Sequence, residues 1–137
     1  CYASPFIPLP PEKYAEMLGQ KIKQHQVNVW MINTGWSGGS YGAGKRIKLS
    51  YTRAMINAAL DGKLNDAVYE AHPVFGMLIP KKCPGVPSEI LNPCNTWKDK
   101  TAYDKKAKEL ARKFVENFKK FAHHASEEIL SAAPIYE

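Results

Sequence analysis

The amino-acid sequence predicts an α/β fold with few strands, flanked by helices, in which the sheet is incomplete. Three observations support this class. Residues 27–32 form a run with apolar side chains on both faces, which is typical of a strand covered on both sides. A glycine-rich loop follows this run, and several other segments show the helical spacing of apolar residues. Only two or three strands can be recognised, too few for an independent sheet, so we expect the chain to complete a sheet begun elsewhere.

The composition is that of a globular protein, because 45% of the 137 residues are apolar and 23% are charged. No apolar run approaches the roughly 20 residues of a membrane span, and no signal peptide is recognisable. The three cysteines, Cys1, Cys83 and Cys94, lack metal-ligand spacing and are odd in number. We therefore expect a reducing, cytoplasmic location, while a Cys83–Cys94 bridge stays open.

A net charge of +6 raises the question of a nucleic-acid partner. Much of the excess lies in residues 98–120, where nine basic residues accompany four acidic ones. Oppositely charged residues stand four apart there, as on a solvated helix face. We therefore expect no nucleic-acid partner. The pairs are Asp104/Lys108, Glu109/Lys113 and Glu116/Lys120.

The elements follow in order along the chain. Residues 11–24 predict an amphipathic helix, and residues 27–32 predict the buried strand, with Trp30 in the core. Ser50 is the expected N-cap of a second helix, which Asp61 and Gly62 end. A strand is expected at 74–79, an ordered proline-containing loop at 81–98, a helix at 102–121 with a buried apolar stripe, and a short last helix capped by Ser126. His25 and the adjacent His123 and His124 are expected to be surface residues without a catalytic or metal role.

The glycine loop carries the most chemistry. Residues 39–45, from Gly39 to Lys45, fit the string of a phosphate-binding loop, but Arg46 stands where Ser or Thr would hold Mg²⁺. The next helix also begins too late for its N-terminus to reach the phosphates. Alternatively, the loop positions Arg46 and Ile47 against a flat purine, and Thr52 supplies a hydroxyl to its edge.

Ordered motifs along nearly the whole chain resemble the C-terminal part of ATP-dependent phosphoenolpyruvate carboxykinase. This resemblance favours the purine interpretation, since the family's adenine-binding residues fall on Arg46, Ile47 and Thr52. The motifs are Asn33-Thr-Gly-Trp36, Gly44-Lys-Arg-Ile47, Tyr51-Thr-Arg-Ala-Met-Ile56, Pro73-Val-Phe-Gly76, Pro84-Gly-Val-Pro-Ser-Glu-Ile90 and Leu91-Asn-Pro-Cys-Asn-Thr-Trp97, together with Lys13-Tyr-Ala-Glu-Met-Leu18, Ala107-Lys-Glu-Leu-Ala111 and Phe114-Val-Glu-Asn-Phe118.

The resemblance implies an enzyme that converts oxaloacetate and ATP to phosphoenolpyruvate, CO2 and ADP with Mn²⁺ and Mg²⁺. It also implies that residues 1–137 are one C-terminal subdomain of the mononucleotide-binding domain. The family's phosphate loop, metal ligands and oxaloacetate-binding arginine would lie upstream, so we expect no catalytic residue and no metal ligand here, and no activity from this piece alone. The missing initiator Met fits this expectation. Cys94 departs from the pattern, because many relatives have Arg there.

Two other functions remain as alternatives. The chain could be a stand-alone nucleotide-binding module that uses residues 39–45 as a phosphate loop. It could also be a basic interaction domain, which would bind nucleic acid with a strong salt dependence.

Overall fold

The computed structural model describes residues 4–39 and 42–137. After a 3-10 turn at Ser4–Phe6, helix α1 spans Pro11–His25 and confirms the predicted first helix. Pro11 begins it, where the missing amide hydrogen costs no helical hydrogen bond. Gln26 ends it in the left-handed conformation, with φ of 51°. None of the described side chains of α1 is buried, so this helix adds no residue to the core.

Helix α2 spans Leu49–Leu60 and begins two residues earlier than predicted. Ser50 is not the N-cap, which corrects the prediction. Lys48 holds that position without a side-chain hydrogen bond, and its carbonyl accepts from the amides of Tyr51 and Thr52 at 3.0 and 3.2 Å. The predicted C-terminal end is confirmed, because α2 stops at Leu60 and Gly62 adopts φ of 69°.

Two short antiparallel hairpins contain the described strands. In the first, β1 (Trp36–Ser37) pairs with β2 (Lys45–Arg46), and in the second, β3 (Tyr69–Ala71) pairs with β4 (Leu78–Pro80). The fold is therefore mixed α/β, with small sheets flanked by helices, as the fold class predicted. The strand expected at 74–79 is wrong in its bounds. Its first half belongs to the turn that brings β4 back alongside β3.

Residues 27–32 are not a strand, although their sequence predicts a buried one. Among the described residues no strand pairs with this segment, and a strand exists only through hydrogen bonds to a neighbour. Its side chains are largely open to solvent, with Val29 62% and Met31 84% exposed. Trp30 and Ile32 are half-buried, and Trp30 packs against the core beside Tyr69, as predicted.

The loop expected at 81–98 is ordered but contains two helical turns. Helix α3 spans Ser88–Leu91 and helix α4 spans Pro93–Thr96. Asn92 caps α4 by accepting a hydrogen bond from the Cys94 amide at 3.1 Å. Cys83 and Cys94 are both free thiols, so the bridge is not formed. Cys1 lies outside the described residues.

Helix α5 spans Lys100–Phe118, and Asp99 caps it by accepting from the Ala102 amide at 3.0 Å. Its solvated face is confirmed in part. Glu109 pairs with Lys113 as predicted and also with Lys106, and these two lysines lower the pKa of Glu109 to about 2. Glu116 pairs with Lys119 at 2.7 Å, one residue before the predicted partner.

The chain ends with a 3-10 turn at Ala122–His124, which follows Phe121, and helix α6 at Glu127–Ser131. Ser126 caps α6 as predicted, because its hydroxyl accepts from the Ile129 amide. The histidine pair lies between α5 and α6, and the His123 side chain is exposed.

Two small clusters form the core. The first joins α2 to the chain around Cys83 and Val86, and the second packs Val74 against Ala107 and Ala111 of α5. Other apolar residues of the stripe predicted for α5 are only partly buried, since Leu110 and Phe114 are 43% and 52% exposed. The accessible surface of 10747 Å² well exceeds the value of about 7,200 Å² expected for a compact monomer of this mass.

His72 ties the second hairpin to α5. Its side chain is 5% exposed, and its Nδ1 accepts from the amides of Val74 and Phe75 at 3.1 and 3.2 Å. Because Nδ1 accepts two hydrogen bonds, the ring proton lies on Nε2, which donates to the Tyr103 hydroxyl over 2.6 Å. Burial lowers the pKa of His72, and Asp104 opposes that shift only in part.

We predict that His72→Asn reduces the acid sensitivity of the fold. Folded His72 binds a proton less readily than the unfolded residue, whose pKa is 6.5, so its contribution to stability is complete above pH 6.5 and is lost as the pH falls below it. An Asn oxygen keeps an acceptor for the turn amides but does not titrate. Urea unfolding at pH 7 and pH 5.5 should show a smaller loss of unfolding free energy in His72→Asn than in the unsubstituted chain. His123→Asn, at an exposed histidine, should behave like the unsubstituted chain. Equal losses in all three would contradict this role of His72.

Candidate functional site

The first hairpin and the start of α2 form the candidate site. In this hairpin Trp36 lies directly opposite Arg46, and Ser37 lies opposite Lys45. The Ile47 amide donates to the Gly35 carbonyl over 2.9 Å and closes the hairpin at its open end. Directly opposed residues share one face of an antiparallel pair, so Trp36 and Arg46 project from the same face.

Asn33 fixes the entry into this hairpin. Its side-chain oxygen accepts from the Gly35 amide at 2.9 Å, and its side-chain nitrogen donates to the Trp36 carbonyl at 3.0 Å. One side chain thus pairs with two backbone groups at the start of the hairpin, which is a common use of Asn at turns. The geometry explains why Asn33 follows the apolar run.

Two glycines are required by close packing within the loop. A Cβ atom on Gly44 would lie 2.7 Å from the Gly39 carbonyl oxygen and 2.9 Å from that of Ser37. Gly38 has φ of 86°, and a Cβ atom there would lie 2.8 Å from the Thr96 carbonyl oxygen. The glycine loop is therefore seated on α4 and folded against itself.

A hydroxyl pair joins the hairpin to α4. Ser37 Oγ and Thr96 Oγ1 are 2.7 Å apart and partly buried, although 59 residues separate them in the sequence. Thr96 Oγ1 also donates to the Pro93 carbonyl at 2.7 Å. Neither residue could be identified from the sequence, because no local spacing connects them.

The three residues expected to contact adenine lie within residues 46–52 but differ in exposure. Arg46 is an exposed side chain on β2, and none of the ion pairs among the described residues involves it. Ile47 is half-buried, directly after β2. Thr52, in the first turn of α2, is buried and only 6% exposed.

The region expected for the alternative phosphate loop is only partly described, because Ser40 and Tyr41 lie outside the described residues. Lys45 belongs to β2, and α2 begins four residues later at Leu49. The N-terminus of α2 therefore does not follow the glycines directly, as it would in a phosphate-binding loop.

In 4–39 and 42–137 there is no group of three or more His, Cys, Asp or Glu side chains that could hold a metal ion. Cys94 is half-buried in α4, and its carbonyl accepts a hydrogen bond from Lys100. None of the helices described has the length and apolar character that crossing a membrane requires.

Comparison with known proteins defines the class. Residues 1–89 match the family model of phosphoenolpyruvate carboxykinase, and the chain belongs to this family.

Its curated relatives are more specific. The chain is 61% identical over 137 residues to the phosphoenolpyruvate carboxykinase (ATP) of Flavobacterium johnsoniae, and 58% identical over 135 residues to that of Christiangramia forsetii. The protein of the same name from Caldanaerobacter subterraneus is 58% identical over 134 residues. These matches cover 98% to 100% of this chain but only 25% to 26% of each relative. The chain therefore spans about a quarter of the length of these relatives.

We predict that Gly38→Ala destabilises the chain more than Gly42→Ala. Both positions have a positive φ, 86° and 88°, so the backbone strain is matched and costs about 1–2 kcal/mol at each. A Cβ on Gly42 meets nothing within 4 Å, whereas one on Gly38 meets the Thr96 carbonyl. Urea unfolding should show an additional loss of about 1–3 kcal/mol for Gly38→Ala, the usual cost of overpacking. Equal losses would show that the loop is not seated on α4.

Proposed function

We propose that this chain is part of an ATP-dependent phosphoenolpyruvate carboxykinase, which converts oxaloacetate and ATP to phosphoenolpyruvate, CO2 and ADP. The observation that carries this proposal is the 61% identity over the complete chain to a relative of that name. The structural support is the hairpin that ends in the exposed Arg46, within the segment matched by the family model.

The role we assign to this piece is the adenine wall of the ATP site. Arg46 offers a planar guanidinium without an ion-pair partner among the described residues, which suits stacking on a purine. Ile47 supplies apolar contact beside it. Thr52 offers its hydroxyl from the first turn of α2. Its amide donates to the carbonyl of Lys48, the residue that directly follows Ile47.

The remaining machinery belongs, in this proposal, to the upstream part of the same enzyme. Residues 1–137 form the C-terminal subdomain, and the phosphate loop, the ligands of Mn²⁺ and Mg²⁺ and the oxaloacetate site come from that upstream part. When bound, the divalent ions stabilise the charge that develops on the phosphates and on the enolate. The large exposed apolar surface of this chain supports such a partner. We assign a cytoplasmic location, because the free thiols of Cys83 and Cys94 fit a reducing compartment. The isolated piece is inactive.

We predict that Arg46→Ala weakens ATP binding by about three- to thirtyfold, the range for a lost stacking contact of a cation on a ring. The test uses a chimera in which this chain replaces the matching segment of the Flavobacterium johnsoniae relative. Calorimetry compares ATP with inorganic tripolyphosphate, which lacks the base. Tripolyphosphate binding and the KM for oxaloacetate should be unchanged in Arg46→Ala.

Lys45→Ala is the matched control, one residue earlier in the same strand. If residues 39–45 act as a phosphate loop, Lys45→Ala weakens tripolyphosphate as strongly as ATP, and the adenine-wall proposal is replaced by that alternative. If neither substitution changes ATP binding, the hairpin does not face the nucleotide.

We predict a smaller effect for Thr52→Val in the same chimera. Loss of one hydrogen bond to the base costs about 1 kcal/mol, which corresponds to a fivefold weaker binding of ATP. Valine has nearly the shape of threonine, so the buried packing around position 52 is retained. Unchanged ATP affinity would remove Thr52 from the site.

A further inference from the structure

We propose that Thr96 is a positioning residue for the nucleotide, acting through Ser37 on the hairpin that carries Arg46. This inference rests on the proposed function, since it concerns the same adenine wall. It is based on the 2.7 Å hydrogen bond between the hydroxyl oxygens of Ser37 and Thr96, which joins the hairpin to α4.

The direction of this hydrogen bond follows from the partners of Thr96. A hydroxyl has one proton to donate, and Thr96 Oγ1 donates it to the Pro93 carbonyl, which can only accept. Ser37 Oγ therefore donates to Thr96 Oγ1. The contact is a chain of two oriented hydrogen bonds from the hairpin into the backbone of α4.

The hairpin needs such a support because its strands are only two residues long. A two-stranded ribbon of this size is marginal in water without packing against another element. Ser37 lies opposite Lys45, and the next pair along the ladder is Trp36 with Arg46. A restraint on Ser37 is therefore transmitted to Arg46 through adjacent rungs of one ladder.

The support itself is anchored on its other side. Asn92 caps α4, and its side-chain nitrogen donates to Glu70 of β3 over 2.8 Å. Steric contact adds to the hydrogen bonds, because Gly38 approaches the Thr96 carbonyl so closely that a Cβ atom would not fit. The second hairpin thus holds α4 in place, and α4 in turn holds the first hairpin in place.

Loss of the Thr96 hydroxyl should displace the side chains that contact the base. The groups that bind the phosphates, which we assign to the upstream part of the enzyme, should be unaffected. We expect Thr96→Val to weaken ATP binding about two- to tenfold, the range for one lost hydrogen bond, with tripolyphosphate binding unchanged. The KM for ATP rises, while kcat and the KM for oxaloacetate are retained.

The experiment uses the same chimera, with Thr96→Val, Thr96→Ser and Ser37→Ala. Thr96→Ser keeps the hydroxyl and should bind ATP like the unsubstituted chimera. Ser37→Ala should reproduce Thr96→Val, and the double variant should be no worse than either single variant, because both remove the same hydrogen bond. Thr101→Val, at an exposed position in the first turn of α5, is the matched control and should have no effect.

The outcomes separate this inference from the proposed function. If Arg46→Ala weakens ATP but Thr96→Val does not, the positioning role is wrong and the adenine wall stands. If Arg46→Ala has no effect, the adenine wall itself is wrong. Equal weakening of ATP and tripolyphosphate by Thr96→Val, or failure of Thr96→Ser to restore ATP binding, would show that Thr96 serves the general fold, and this also overturns the inference.

Discussion

The limited burial of apolar side chains constrains everything else in this structure. Apolar residues make up 45% of the sequence, yet among the described residues the buried apolar side chains are mostly small or medium in size, such as Ala58, Val74 and Ala111. Large side chains on α1 and α5, together with Val27, Val29 and Met31, stay open to solvent. Such surface is unfavourable in water by about 25 cal/mol for each Å² of apolar area. A chain with this surface behaves as one side of a larger interior, which agrees with relatives about four times its length.

Polar side chains therefore hold the described turns in place where the core is thin. Asn33 satisfies two backbone groups at the first hairpin, and His72 satisfies two amides at the second. Asn92 both caps α4 and contacts Glu70. His72 and Asn92 in addition hold an element to its neighbour, through Tyr103 and Glu70 respectively. Polar groups that are shielded from water are stabilising only when they are paired in this way.

The sequence predicted α1, α2, α5 and α6, because their signals are local, but it missed the short helices α3 and α4. Pro11 at the start of α1, Gly62 after α2 and Ser126 before α6 each act on the residues beside them. The strand at 27–32 was mispredicted, since its apolar pattern describes a buried environment while a strand also needs a neighbour. The strand at 74–79 was mispredicted because the turn amides bond to the His72 ring, which no hydrophobic pattern reveals.

The same distinction applies to the candidate site. The glycine loop and Arg46 could be found from the sequence, because glycine density and a basic residue after it are local features. The exposure of the side chains could not be predicted from the sequence, and Thr52 is far more buried than Arg46. Ser37 and Thr96 could not be found either, since their partnership depends on how α4 returns to the hairpin.

The separation of Ser37 and Thr96 also has a consequence for the order of folding. The turn between Ser37 and Lys45 closes a short loop, whereas the contact with Thr96 closes one of 59 residues. The longer closure costs roughly 2 kcal/mol more chain entropy. We therefore expect the hairpin to form early but to stay loosely placed until β3, α3 and α4 have assembled. The surface assigned to the nucleotide is then among the last parts of this chain to reach its final geometry.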